Sequence, residues 1–265
     1  MSFKPKKTND KAVIDASKTL VYALHGFGKT TQCKYYQEAF GPGFIMSGEG
    51  GLKSISDTGI DYLPFSSWNN KHDPANDIYS FRGICKMIQS KDFQDMGYKW
   101  IAIDSLTEAS DLLFKELEQQ FKDDKNGFKM WGEFARQMIG SLKWIRDLDY
   151  HVLVTALAKD EEDDNGRTTF WPHVHGKSAA KQIPALFDHV FAGVRETVHE
   201  EDGEIRVLRR LYSDEVYGYH GKIRDPSRRI PAVVNTSNIP AVINAMHLSS
   251  DEYDSWLKAI GENDE

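Results

Sequence analysis

The residues best equipped for chemistry sit at the end of the chain's first apolar run. The segment Ala23-Leu-His-Gly-Phe-Gly-Lys-Thr-Thr31 brings together two glycines, a lysine and two hydroxyls. Gly26 and Gly28 let the backbone curl, so that the N–H groups of His25, Gly26, Phe27, Gly28, Lys29, Thr30 and Thr31 can turn inward onto phosphate oxygens. A helix opening near Lys29 would add the positive end of its dipole. Lys29 is placed to bridge the β- and γ-phosphates, and the Thr30 hydroxyl to hold Mg²⁺. A strand before and a helix after are the context this phosphate loop requires. Ala23 stands where the first glycine of the pattern usually lies; it is small, and a strand-end backbone suits it. The chemistry implied is binding of a nucleoside triphosphate, ATP with Mg²⁺.

A triphosphate site of this kind needs an acidic group on a neighbouring strand to hold the metal's water shell. Asp104, which ends the apolar run Trp-Ile-Ala-Ile-Asp, meets that need. The residue after it is Ser105, where many ATPases of this class carry the glutamate that polarises the attacking water. The base must therefore stand elsewhere. Glu49, in the Gly-rich turn Ser-Gly-Glu-Gly-Gly51, is preferred, because such turns expose side chains at the carboxyl edge of an open sheet, where ligands bind. Glu108, one helical turn beyond Asp104, is the alternative.

Bringing these groups together requires strands that end side by side. Residues 19–23, 44–46, 61–65, 98–104 and 151–158 read as short apolar strands. Residues 29–39, 73–89, 106–121 and 128–148 read as helices, with Asp73 capping the second and Pro74 in its first turn. Apolar runs this continuous suit strands covered on both faces, which predicts an α/β fold with a mainly parallel sheet flanked by helices. From about Asp188 the pattern changes. Residues 189–194, 204–213 (after a turn at Asp202-Gly203) and 215–222 read as antiparallel strands added on the C-terminal side. Ser249 and Glu252 form a capping box for the last helix. The organisation expected is a flexible basic arm at 1–14, an ATPase core at 15–235 and a helical extension at 236–265.

Composition narrows the class. The 265 residues are 40% hydrophobic with a net charge of −7, which supports a packed core and excludes a protein that coats nucleic acid by bulk charge. Cys33 and Cys85 are too few for a disulfide framework or a four-cysteine zinc site. No apolar run reaches the ~20 residues of a membrane span, and the N-terminus lacks the apolar core of a signal peptide. The expectation is a protein of the reducing cytoplasm that makes no membrane contact.

The combination of loop, Asp104-Ser105 and Glu49 resembles the RecA-type recombinase ATPases, and more narrowly the short RecA-like proteins of bacteriophages that anneal single strands. In that superfamily the catalytic glutamate follows the second core strand, and Phe44-Ile-Met-Ser-Gly-Glu49 matches it, with Ser47 in place of the usual aspartate. The resemblance puts a polar sensor within 155–159, and the order Pro172, Gly176-Lys177, Phe187-Asp188 also follows the phage pattern. It implies that Lys222 and Arg224, two apart, reach the γ-phosphate of a neighbouring subunit. The partners it implies are further copies of the chain in a ring or filament, single-stranded DNA, and a single-strand-binding protein. If the chain is phage-encoded, its place is the host cytoplasm.

The stretch expected to meet DNA is mixed. Asp160–Asp164 would repel phosphates and reads as a solvated hairpin tip. Arg167, Phe170, Trp171, His173, His175 and Lys177 could stack on bases or simply anchor the loop. His173 and His175 have no cysteine beside them to make a metal site. Two other functions remain open: a nucleotide-switched loader with weak or no hydrolysis, and a small-molecule kinase, for which the acidic tip would be a poor lid.

Overall fold

A computed structural model describes residues 16–70, 75, 79–124, 127–199 and 204–261. The basic arm, the Asp73-Pro74 helix start and the Asp202-Gly203 turn lie outside the described residues. The strands expected around the site are β1 (Lys18–Ala23), β2 (Gly43–Ser47), β3 (Asp61–Pro64), β4 (Trp100–Asp104) and β5 (His151–Glu162). Between them run α1 (Gln32–Phe40), α2 (Phe81–Ile88), α3 (Lys91–Asp95), α4 (Leu106–Gln120) and α5 (Phe128–Arg146). The second half adds β6 (Thr168–Pro172), α6 (Lys177–Gln182), β7 (His189–His199), β8 (Ile205–Tyr212), β9 (Val233–Val234), α7 (Ile239–Ala245) and α8 (Ser250–Gly261).

Among the described residues these strands form one sheet in the order β3-β2-β4-β5-β1-β7-β8-β9, with β6 pairing the far end of β5. From β3 to β7 every pairing is parallel; β8, β9 and β6 are antiparallel. Every residue of β1, β2 and β4 is buried, as strands sandwiched between helices must be. Alternation divides their side chains. Leu20, Tyr22, Ile101, Ile103 and Val154 pack against Leu106 and Leu113 of α4 and Phe134 and Met138 of α5. Val21, Ala23, Ala102 and Leu153 face Cys33 and Tyr36 of α1, Val242 of α7 and Ile260 of α8. The helices after 236 therefore close the second face of the same core. Gln32, in the first turn of α1, ties them down: its side-chain amide donates to the Ser237 carbonyl at 2.7 Å.

The helix expected over 73–89 is not continuous: Ser80 has extended backbone and caps a helix that begins at Phe81, accepting from the Gly83 N–H at 2.9 Å. Two further expectations need correction. Residues 215–222 do not form a strand. Tyr217 and Gly218 both take positive φ (50° and 82°), which turns the chain back on itself, and only isolated bridges remain, Val216 with Tyr219, Tyr219 with Phe170 and Lys222 with Val190. β8 pairs instead with the short β9. The second correction concerns β5, expected to stop at Ala158. It runs on through the acidic residues to Glu162 because β6 pairs it out to that point, and Asp163 makes the turn by accepting from the N–H groups of Asn165 and Arg167, both at 2.8 Å. Cross-strand pairing here overrides the poor strand preference of Asp and Glu.

Candidate active site

β1 ends at Ala23, and the chain then turns through the exposed Leu24, His25 and Gly26 before re-entering the core at Phe27. Ala23 lies in the ladder between Leu157 and Gly193, an ordinary strand-end conformation that explains why alanine serves where glycine is usual. Gly26 and Gly28 have φ of +79° and +101°, a region that side chains rarely enter, so the curl of the loop depends on both. The Phe27 ring is buried, and its contribution to a ligand is confined to its backbone N–H. Lys29 to Thr31 form a tight turn that feeds into α1, with the Gln32 and Cys33 N–H groups donating to the Lys29 and Thr30 carbonyls at 3.1 and 3.0 Å.

Phe27 is seated by β7. A side chain on Gly193 would come within 2.6 Å of the Phe27 ring, so the strand can pass beneath the loop only as glycine. Gly193→Ala is expected to push the ring and the loop outward. It should cost about 1–3 kcal/mol of stability and weaken nucleotide binding, both visible in thermal unfolding with and without ATP. Unchanged stability and affinity would mean that the ring moves freely.

The carboxylates converge as their strands dictate. β5 lies between β1 and β4, and β4 pairs β2 with Ser47 opposite Asp104. Asp104 is fully buried: its Oδ2 accepts from the Thr30 hydroxyl at 2.8 Å and its Oδ1 from the Thr155 hydroxyl of β5 at 2.5 Å. Beyond Ser47 the chain is pinned to the same residue, since the Gly48 N–H donates to the Asp104 carbonyl at 2.7 Å. The Ser47 hydroxyl closes this turn by donating to the Glu49 carbonyl at 2.9 Å. Glu49 thus arrives beside Ser105, whose hydroxyl donates to its carboxylate. The same Ser105 oxygen caps α4 by accepting from the Glu108 N–H at 3.3 Å. Asp104 is therefore spared capping duty. The stem of Glu108 lies against Gly48, where a side chain would come within 2.9 Å of its Cγ.

Lys29, nearly buried, reaches the Ala23 and Leu24 carbonyls at 3.2 and 3.3 Å. Burial lowers its pKa, and the Glu49 and Asp104 charges oppose that shift. Burial likewise raises Asp104, against the hydrogen bonds from Thr155 and Thr30. Both shifts narrow the pH range in which the two groups are charged together. A site with two carboxylates and one ammonium is short of positive charge. A hydroxyl and a carboxylate oxygen converging on one point are hard donors that fit Mg²⁺. Thr30 and Asp104 would hold that ion, whose chemistry is to neutralise charge on the phosphates.

The model of the AAA domain matches residues 15–224, from just before β1 to beyond the Lys222 bridge. The chain belongs to the AAA domain family. No curated protein matches it. As an AAA domain it is a P-loop ATPase by family, and the loop, Asp104 and the mainly parallel sheet described above are the parts such a domain uses to bind nucleotide.

Other candidate residues of this AAA domain fall elsewhere. Lys222 pairs through its backbone with Val190, and its ammonium donates to the Pro184 carbonyl at 3.1 Å. Arg224 bonds Asp188 at 2.8 Å. Asp188 also accepts from the N–H of Lys18, which puts this pair at the amino edge of β1, the end remote from the phosphate loop. Phe170 and Trp171 anchor the β6 arm: they stack on Tyr219 and His220, at centroid separations of 4.0 and 3.7 Å. The Tyr22 hydroxyl secures both segments through the Phe170 and His220 carbonyls, each at 3.0 Å. His175 stacks on Phe114 and bonds Asp111 at 2.8 Å. His173 donates its N–H to the Leu157 carbonyl at 2.7 Å. Of the arginines on β8, Arg210 pairs with Glu196 at 2.5 Å while Arg209 is exposed.

In the sequence Thr155 was legible as one end of the 155–159 stretch in which the resemblance puts a polar sensor, and Ser105 as a departure from the usual glutamate. Their roles follow from strand register. Among the described residues no helix is long and apolar enough to cross a membrane.

Proposed function

We propose that this AAA domain hydrolyses ATP as a RecA-like protein of phage type, assembles head to tail, and acts on single-stranded DNA in annealing or strand pairing. The observation that carries this reading is the place of Glu49. The carboxylate lies on the turn after β2, held by Ser105 next to Asp104, and its charge is felt by Lys29 and by Asp104. A base on the strand beside the metal-binding aspartate, instead of next to it in sequence, is the arrangement of the RecA-type ATPases. Water aligned by Glu49 would attack the γ-phosphorus in line while Lys29 and the loop N–H groups take up the developing charge. Arg224 supports the head-to-tail part: it is two-thirds exposed at the edge remote from the chain's own loop, where a second copy could be reached, while Lys222 beside it would have to leave the Pro184 carbonyl to do the same.

A second reading, a nucleotide-switched loader, is favoured by the β5–β6 arm. Its tip is acidic, and its aromatic rings are already stacked on the protein's own side chains. ATP turnover with and without single-stranded DNA, together with mass in solution with ATP, separates the two. DNA-stimulated turnover by an oligomer, lost in Glu49→Gln and Arg224→Ala, is the expected result. ATP-dependent assembly without any DNA effect would favour the loader. A monomer indifferent to Arg224→Ala would remove the shared site.

A further inference from the structure

β7 outruns β1. Its pairing with β1 ends at Gly193 opposite Ala23, yet the strand continues to His199, climbing past the phosphate loop with β8 on its other side. Residue alternation places Arg195 on the face of Gly193, the face on which Phe27 packs. Its guanidinium reaches the curl of the loop: a methyl group added to Gly26 would meet the Arg195 Nη1 at 3.6 Å. Directly opposite Arg195 in the β7–β8 ladder stands Arg209. Both side chains are exposed, and among the described residues neither has a carboxylate partner, whereas Arg210 on the other face is paired with Glu196. Like charges directly opposed across a strand pair destabilise it. A cationic pair with no acidic partner, beside a loop built for phosphates, is arranged for an anion.

We propose that Arg195, backed by Arg209, binds the triphosphate of the nucleotide held by its own chain's phosphate loop. This rests on the reading of 23–31 as a nucleotide loop. The guanidinium adds planar, charge-assisted donors from the side of the loop opposite Asp104, where the ammonium of Lys29 does not reach. Arg209 need not touch the ligand; its charge holds the region positive and keeps Arg195 directed away from β8.

The test uses the full chain and a fluorescent ATP analogue, with adenosine as a phosphate-free control, and measures thermal stability alongside. The variants are Arg195→Ala, Arg195→Lys and Arg195→Glu. Arg195→Ala is expected to weaken ATP about tenfold or more and to leave adenosine unchanged. Arg195→Lys should recover part of the loss, since charge returns without the planar fork. Arg195→Glu separates binding from structure. It creates an ion pair with Arg209, so its melting temperature should rise while its ATP affinity falls furthest. A merely structural arginine would move both in the same direction. ATP affinity unchanged in Arg195→Ala, or a loss confined to single-stranded DNA binding, would overturn the proposal. Lys29→Ala run in parallel keeps the two ideas apart. If it too binds ATP normally, the nucleotide reading of the loop is what has failed.

Discussion

Glu49→Gln is expected to bind ATP and fail to hydrolyse it, with turnover reduced roughly 10²–10⁴-fold. Glutamine has the same shape and keeps a carbonyl oxygen that can accept from Ser105, so the turn after β2 should hold. What it lacks is the basic oxygen that takes a proton from water. Affinity should stay near that of the wild type or improve, because a negative charge close to the phosphates is removed. Single-turnover hydrolysis beside equilibrium binding makes the measurement. Glu108→Gln is the necessary companion: its stem is wedged against Gly48, and its loss should change turnover little. If Glu108→Gln abolishes hydrolysis and Glu49→Gln does not, the base has been misassigned.

The other large effect belongs to Lys29. Replacing it by alanine should weaken ATP binding by about 10²-fold or more, the scale found when one partner of a buried, hydrogen-bonded charge pair is removed. The ammonium is held by the Ala23 and Leu24 carbonyls within a loop whose backbone is set by glycines, so the substitution leaves the loop's path intact. It does leave Asp104 and Glu49 without their cation, and Asp104, already raised by burial, loses the charge that opposed the rise. Titration calorimetry at neutral pH reads the affinity. A Lys29→Ala protein that still hydrolysed ATP normally would overturn the assignment of the whole loop.

The chemistry was most legible where it is local. Gly26, Gly28, Lys29 and Thr30 lie within one turn, and the strand and helix around them are announced by apolar runs and helical spacing. Asp104 was visible for the same reason, as the polar end of an apolar strand. What stayed hidden depends on which strands become neighbours. That Thr155 would grip Asp104 follows from β5 sitting between β1 and β4, an order no local pattern encodes. Gly193 and Arg195 carry no local motif, and their closeness to the phosphate loop depends on β7 lying beside β1. Residues 215–222 misled because Val216, Tyr217 and Tyr219 have strand-like side chains, whereas two successive positive φ values decide the local path. In the acidic tip the error ran the other way: side chains unsuited to strands are drawn into one by a partner.

β5 carries one more implication. It runs unbroken from His151 to Glu162; Thr155 near its start holds the Asp104 carboxylate, and its far end is the acidic tip. From Thr155 to the tip is about 23 Å at the rise of an extended strand, with no joint in between. A displacement of the tip would therefore travel along one strand toward the hydroxyl that holds Asp104. The grip on Asp104 inside the sheet and the acidic tip at the surface are thus two ends of one continuous strand.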